Sequence, residues 1–152
     1  MDKEFFVRQI EGNSDKLFRV AYTLLQNPED CRDAMQECAL KAWEKRFSLR
    51  QEQYFATWIT RILINECRNI QRKRKRTLPL DQAPEPAMEP PDPTLSLALQ
   101  ALPEKYRLPL VLHCSEGMSY QEIARTLGVT EGSVRGRIHR AKEQLRKELE
   151  TV

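Results

Sequence analysis

Apolar side chains recur along this chain at helical spacing rather than in strict alternation. Phe5, Phe6, Gln9 and Ile10 open one amphipathic pattern, and Leu17, Val20, Ala21, Leu24 and Leu25 continue the 3.6-residue period in a second. Asn27-Pro28 marks a turn. Pro28 suits the first position of a helix whose opening turn carries Glu29 and Asp30, where acidic groups complement the helix dipole. The apolar stripe of that third helix is Cys31, Ala34, Met35, Cys38, Ala42 and Trp43. A fourth helix sets Phe55, Trp58, Ile59, Ile62 and Leu63 on one face and ends in a basic tract, and the same periodicity assigns Phe55 and Trp58 to core packing.

Six of the nine prolines then fall between Pro79 and Pro93, among four acidic side chains (Asp81, Glu85, Glu89, Asp92), and such a segment sustains neither a helix nor a sheet ladder. It is expected to run extended, spanning ~50 Å at ~3.1 Å per residue. Beyond it, Leu95, Leu97, Leu99 and Leu102 lead to a helix start at Pro103-Glu104; Pro109 is expected to kink that helix, and Gly117 to stop it. Ser119 with Glu122 forms a capping box, Gly128 ends the helix so begun, and Thr130 can cap the next, whose buried stripe is Val134, Ile138, Ala141 and Leu145. A helix, a short glycine turn and a helix bearing Arg135, Arg137, His139, Arg140 and Lys142 make a helix-turn-helix. Its second helix suits the major groove, with Glu131, Ser133, Arg135 and Gly136 toward bases and Arg137 and Arg140 toward phosphates. The fold class predicted is all-α: two small helical domains over 1–76 and 95–152, joined by a Pro-rich linker over 77–94, the second containing the helix-turn-helix.

Composition narrows the class. Of 152 residues, 40% are hydrophobic and 31% charged, enough for two modest cores and too charged for a membrane-embedded chain; no membrane insertion is expected. Net charge is only +3, but five consecutive cations, Arg72 to Arg76, precede a stretch from Thr77 to Pro103 without Lys or Arg, which points to a polyanion partner. Met1-Asp2-Lys3-Glu4 lacks the pattern of a secretory signal, so a cytoplasmic chain with reduced cysteines is expected, and no appended regulatory domain is expected after the last helix. Cys31, Cys38, Cys67 and Cys114 read as buried small hydrophobes. Neither Cys31 with Cys38 nor His113 with Cys114 has metal-ligand spacing, and no cofactor, metal or catalytic constellation is expected.

Leu102-Pro103-Glu104-Lys105-Tyr106-Arg107, Glu116 to Ala124 and Gly132 to Ala141 resemble the fourth conserved region of sigma factors. Asn27-Pro28-Glu29-Asp30, Asp33 to Glu37, Ala42-Trp43 and Phe55 to Ile59, with Asn65 and Arg72, resemble the second region. Both in order around a Pro-rich segment resemble an extracytoplasmic-function (group 4) sigma factor of the sigma-70 family. The resemblance implies core RNA polymerase and promoter DNA as partners, and control by an anti-sigma factor. It implies Asp33, Gln36, Glu37 and Trp43 for polymerase contact, Arg61 and Asn65 for the non-template strand of the minus-ten element, and Arg68, Arg72 and Lys73 for phosphates. The helix-turn-helix is then implied to read the minus-thirty-five element. Phe47 and Tyr54 flank a loop able to form a base pocket, since aromatic faces beside a basic track hold unstacked bases. Cys38-Ala39 and Asn69 depart from the family pattern. The competing reading is a stand-alone helix-turn-helix regulator, but such proteins dimerise to read two half-sites and the chain shows no heptad stripe.

Overall fold

The Asp2 carboxylate accepts a hydrogen bond from the Phe5 backbone N–H at 2.8 Å and so caps α1 (Lys3–Gly12). The computed structural model describes residues 1–77 and 93–150. Next comes α2 (Ser14–Leu25), closed by Gln26 in the left-handed region at φ 53°. Helix α3 (Pro28–Glu44) opens on Pro28, with the Asn27 side chain accepting from Asp30 N at 3.0 Å. Two short 3-10 turns, Arg46–Ser48 and Glu52–Tyr54, lead to α4 (Phe55–Thr77), which carries the whole basic tract inside one helix. The second half holds α5 (Pro93–Ala101), α6 (Glu104–Cys114), α7 (Tyr120–Leu127) and α8 (Glu131–Glu150). The chain is all-α, with no strand among the described residues. It divides into units Met1–Ala87 and Met88–Val152. The Pro-rich spacer expected between them falls, over 78–92, outside the described residues.

In the first unit α3 and α4 meet along a seam of small side chains. Cys31, Ala34, Cys38 and Ala42 of α3 are buried, as are Ile59, Leu63, Ile64 and Cys67 of α4. Small residues let the two backbones approach, and the Cys38 thiol donates to the Ile59 carbonyl at 3.6 Å. Leu17, Val20, Ala21, Leu24 and Leu25 of α2 close the remaining side. Where α1, α3 and α4 converge, Phe6 packs on Trp43 (5.2 Å between centroids) and on Phe55 (6.1 Å), and Phe55 on Trp58 (5.5 Å). Each fully buried side chain such as Phe55, Ile59 or Leu63 contributes about 1.5–3 kcal/mol.

The second unit is built on α8, whose Val134, Ile138 and Ala141 are buried against Leu108, Leu110 and Leu112 of α6 and Ile123 of α7, with Ala98 of α5 beside them. Leu145 is half-buried. Helix α6 continues through the buried Pro109. Arg107 joins α5 to α6: one guanidinium nitrogen donates to the carbonyls of Gln100 (3.3 Å) and Leu102 (3.2 Å), and burial pushes its pKa down. Gly117 (φ 68°) turns the chain after α6, and His113 Nδ1 lies 2.8 Å from the Met118 carbonyl across that turn.

Of the four cysteines expected inside, Cys31, Cys38 and Cys67 are buried, whereas Cys114 is exposed because it closes α6 where the helix leaves the core. Burial raises the Cys31 thiol to about 11 and the Cys38 thiol to about 12. Since the thiolate is the reactive form, Cys114 is expected to be the one fast-reacting thiol of the native chain at pH 8. Mass mapping after alkylation, with and without denaturant, checks this; rapid native labelling of Cys38 contradicts it.

Candidate functional site

On α3, outside the small-residue seam, Asp33, Gln36 and Glu37 are all exposed at i, i+3 and i+4, Asp33 and Glu37 also bordering a cleft toward α4. Leu40 continues the same face and is 60% exposed. Beside it runs a groove of about 530 Å³ lined by Lys3, Phe6, Val7, Gln36, Ala39, Leu40 and Trp43. Trp43 is shared between site and core, with one side on Phe6 and the Arg46 guanidinium 4.2 Å from its ring centroid.

Helix α4 turns Arg61, Asn65, Arg68 and Arg72 to one side at spacings of four, three and four residues, away from buried Ile59, Leu63 and Cys67. This track extends ~16 Å at 1.5 Å per residue. Arg72 donates to the side-chain amide oxygen of Asn69 on its margin. Lys73 lies off this track, and together with Arg72 and Asn69 it lines a cleft of about 600 Å³ that also holds Asp33, Glu37, Lys41 and Glu66. There Lys41 Nζ donates to Glu66 Oε1 at 2.5 Å; the carboxylate is only 8% exposed, and this bond raises the Lys41 pKa. The tract is thus not uniform: Arg74 turns inward to the Leu25 carbonyl (3.0 Å) and the Asp30 carboxylate.

Between α3 and α4, Phe47 is 78% exposed and Tyr54 is exposed as well. The Arg46 guanidinium sits 4.6 Å from the Phe47 centroid while it also covers Trp43. Trp58 Nε1 donates to Ser48 Oγ at 3.1 Å, tying the loop to α4. Phe55 is fully buried and Trp58 partly so, in keeping with their helical spacing.

In the second unit the capping box forms in both directions, Glu122 N to Ser119 Oγ and Ser119 N to Glu122 Oε1, each 3.1 Å. Gly128 ends α7 at φ 69°, and Thr130 Oγ1 accepts from Ser133 N at 3.1 Å to cap α8. Glu131, Arg135, Gly136, His139 and Arg140 are exposed on α8, with Ser133 and Arg137 partly covered. Arg135 lies 3.6 Å from Glu131 and 5.8 Å from the Tyr120 ring centroid, and His139 Nε2 lies 3.1 Å from Glu143. Arg140 donates to the Tyr106 hydroxyl at 3.3 Å, which lowers the tyrosine pKa and raises that of the arginine.

Residues 9–77 match the family described as Sigma-70 region 2, and residues 94–145 match Sigma-70, region 4. The ECF RNA polymerase sigma factor SigW of Bacillus subtilis is 30% identical over 169 residues, covering 97% of this chain and 90% of that protein. The chain belongs to the extracytoplasmic-function sigma factors of the sigma-70 family. It is therefore an RNA polymerase sigma factor and not an enzyme, and the stand-alone regulator is not favoured. SigE of Mycolicibacterium smegmatis is 36% identical over 152 residues, covering 90% of this chain; the chain spans 58% of that relative's length. The sigma factor RpoE of Bartonella quintana, solved in complex with the anti-sigma factor NepR, has the same fold at a TM-score of 0.80 and 24% identity, covering 95% of this chain and 96% of that one.

Within this sigma factor the structure gathers the residues named from sequence into three surfaces: Asp33, Gln36 and Glu37 on α3; Arg61, Asn65, Arg68 and Arg72 on α4, with Lys73 to one side; and Glu131 to Arg140 on α8. Sequence reading missed Leu40, Arg46, Glu66 and Arg74. Leu40 was detectable as an apolar residue off the buried stripe. The Lys41–Glu66 pair, 25 positions apart, and the Arg74 contacts, 44 and 49 apart, leave no local signal. Among the described residues no group of His, Cys, Asp and Glu is arranged to hold a metal ion, and no helix is long and apolar enough to cross a membrane.

The sharp turn between α7 and α8 depends on the left-handed Gly128. Gly128→Ala is expected to cost about 1–2 kcal/mol, measured by urea denaturation of the second unit's transition; an unchanged midpoint would show that the turn tolerates a side chain.

Proposed function

We propose that the first unit docks on core RNA polymerase through Asp33, Gln36 and Glu37, with Leu40 and the exposed edge of Trp43 supplying the apolar centre of the contact. The opposite charge character of α4 suits the minus-ten element. Arg61 and Asn65 face the non-template strand, Arg68, Arg72 and Lys73 take phosphates, and Phe47 with Tyr54 offers aromatic faces to an unstacked base. In the second unit α8 enters the major groove of the minus-thirty-five element, Glu131, Ser133, Arg135 and Gly136 toward base edges and Arg137 and Arg140 toward phosphates. The domain division is region 2 over 1–76, a linker over 77–94 and region 4 over 95–152. The protein acts in the cytoplasm, where its polymerase is, and an anti-sigma protein restrains it, a reading supported by the complex with NepR of its Bartonella relative.

One observation carries the assignment in the first unit: a single small-residue seam between α3 and α4 leaves an acidic and apolar surface on one helix and a basic track on the other. Two partners of different chemistry are thereby served without sharing residues. Size-exclusion co-elution with core RNA polymerase tests the first contact. The wild-type chain is expected to co-elute stoichiometrically, and Gln36→Ala/Glu37→Ala to bind at least ~10-fold more weakly, a loss of ~1.4 kcal/mol; co-elution unaffected by the double change would remove α3 from the interface. Assembled with core enzyme, Arg135→Ala is expected to lose ~1–3 kcal/mol of minus-thirty-five discrimination and Arg137→Ala to weaken binding about equally across promoter sequences, both while co-eluting normally. If polymerase association fell in step, α8 would be serving the fold and not the groove.

A further inference from the structure

Beyond Ile70 the sequence of α4, Gln71-Arg72-Lys73-Arg74-Lys75-Arg76-Thr77, has no apolar side chain to bury, and its cations repel one another at i, i+3 and i+4. Hydrophobic packing therefore cannot hold these last two turns. Polar contacts do so instead. Gln71 Nε2 donates to the Leu24 carbonyl at 3.0 Å and Arg74 Nη1 to the Leu25 carbonyl at 3.0 Å, while Arg74 Nη2 pairs with Asp30. The two carbonyls belong to the last turn of α2, beyond the Tyr22 carbonyl that the Gln26 N–H satisfies, where intrahelical donors run out. Asp30 lies in the first turn of α3 and is itself fixed by the Asn27 cap. One arginine side chain thus joins the ends of three helices, and only about a quarter of it is exposed.

We propose that Arg74, clamped between Asp30 and the α2 carboxyl end, is a positioning residue that keeps the basic end of α4 helical and aligned, so that Arg68 and Arg72 stand on one phosphate track. This rests on the reading of α4 as the minus-ten helix. Arg74 acts here through its protein contacts and not as a further phosphate ligand. The consequence runs against simple electrostatics, because removing the negative charge of Asp30 from a DNA-binding surface weakens DNA binding.

The test uses the full chain assembled with core polymerase. Its probe is a forked duplex with a single-stranded non-template minus-ten segment, taken from a randomised library by selection with the wild-type holoenzyme. Asp30→Asn and Arg74→Ala are each expected to weaken binding 3- to 10-fold with the salt dependence unchanged and core co-elution intact. Hydrogen exchange is expected to quicken at the amides of Arg72 to Arg76 but not at Ile59 to Cys67. Arg72→Ala, the control, is expected to weaken binding and lower the salt slope by ~0.7. Tighter or unchanged binding by Asp30→Asn, or a salt slope lowered by ~0.7 in Arg74→Ala, overturns the clamp and makes Arg74 a direct phosphate contact. Loss in Arg72→Ala without loss in Asp30→Asn sinks the clamp alone; no loss in either, or a library that yields no winner, sinks the minus-ten reading with it.

Discussion

Close approach of α3 and α4 organises the first unit. Cys31, Ala34, Cys38 and Ala42 leave no bulk between the helices, so Ile59, Leu63 and Cys67 pack directly against them. A long helix and a shorter one fused along such a seam have their remaining faces turned to solvent by geometry alone. The Lys41–Glu66 bond closes one edge of the seam and the aromatic cluster of Phe6, Trp43 and Phe55 closes one end. A larger residue at Ala34 or Cys38 would press on α4 and shift the track of Arg61, Asn65, Arg68 and Arg72, because close-packed cores transmit volume changes.

The helix-turn-helix depends on local chemistry to a greater degree. Its turn is specified within twelve residues by the Ser119–Glu122 box, the left-handed Gly128 and the Thr130 cap. Long-range packing then fixes α8 through three buried side chains, Val134, Ile138 and Ala141, leaving most of its circumference polar. Several cations on that surface already have partners: Arg135 with Glu131 and Arg140 with Tyr106. Such exposed contacts are weak, so they orient the arginines without holding them from a stronger acceptor such as phosphate or a guanine edge.

Charge in this sigma factor is sorted by surroundings more than by sequence position. Arg72 and Arg74 are two residues apart in one basic tract, yet one is exposed and the other is half-buried against Leu25 and Asp30. Lys41 and Lys73 share a cleft with Glu37 and Glu66, whereas Arg61 stands on the outer face. A net charge of +3 conceals this arrangement entirely.

The helices, their caps and the helix-turn-helix were legible in the sequence because each rests on contacts within a few residues: the Asn27-Pro28 start, the 3.6-residue stripes, the capping box and the glycine turn. The family followed from the order of its motifs. The inward course of Arg74, the burial of Glu66 and the exposure of Cys114 could not be read in this way. Each is decided by which helix lies opposite, at separations of 25 to 49 positions for the polar pairs, and a linear pattern records a residue's own helical face but not its neighbour's. The sequence by itself therefore determined the α-helices and the class of protein. Only the tertiary structure decided which of its many cations remain exposed and which are tied into the fold, because that choice depends on the carbonyls and carboxylates that packing brings within reach.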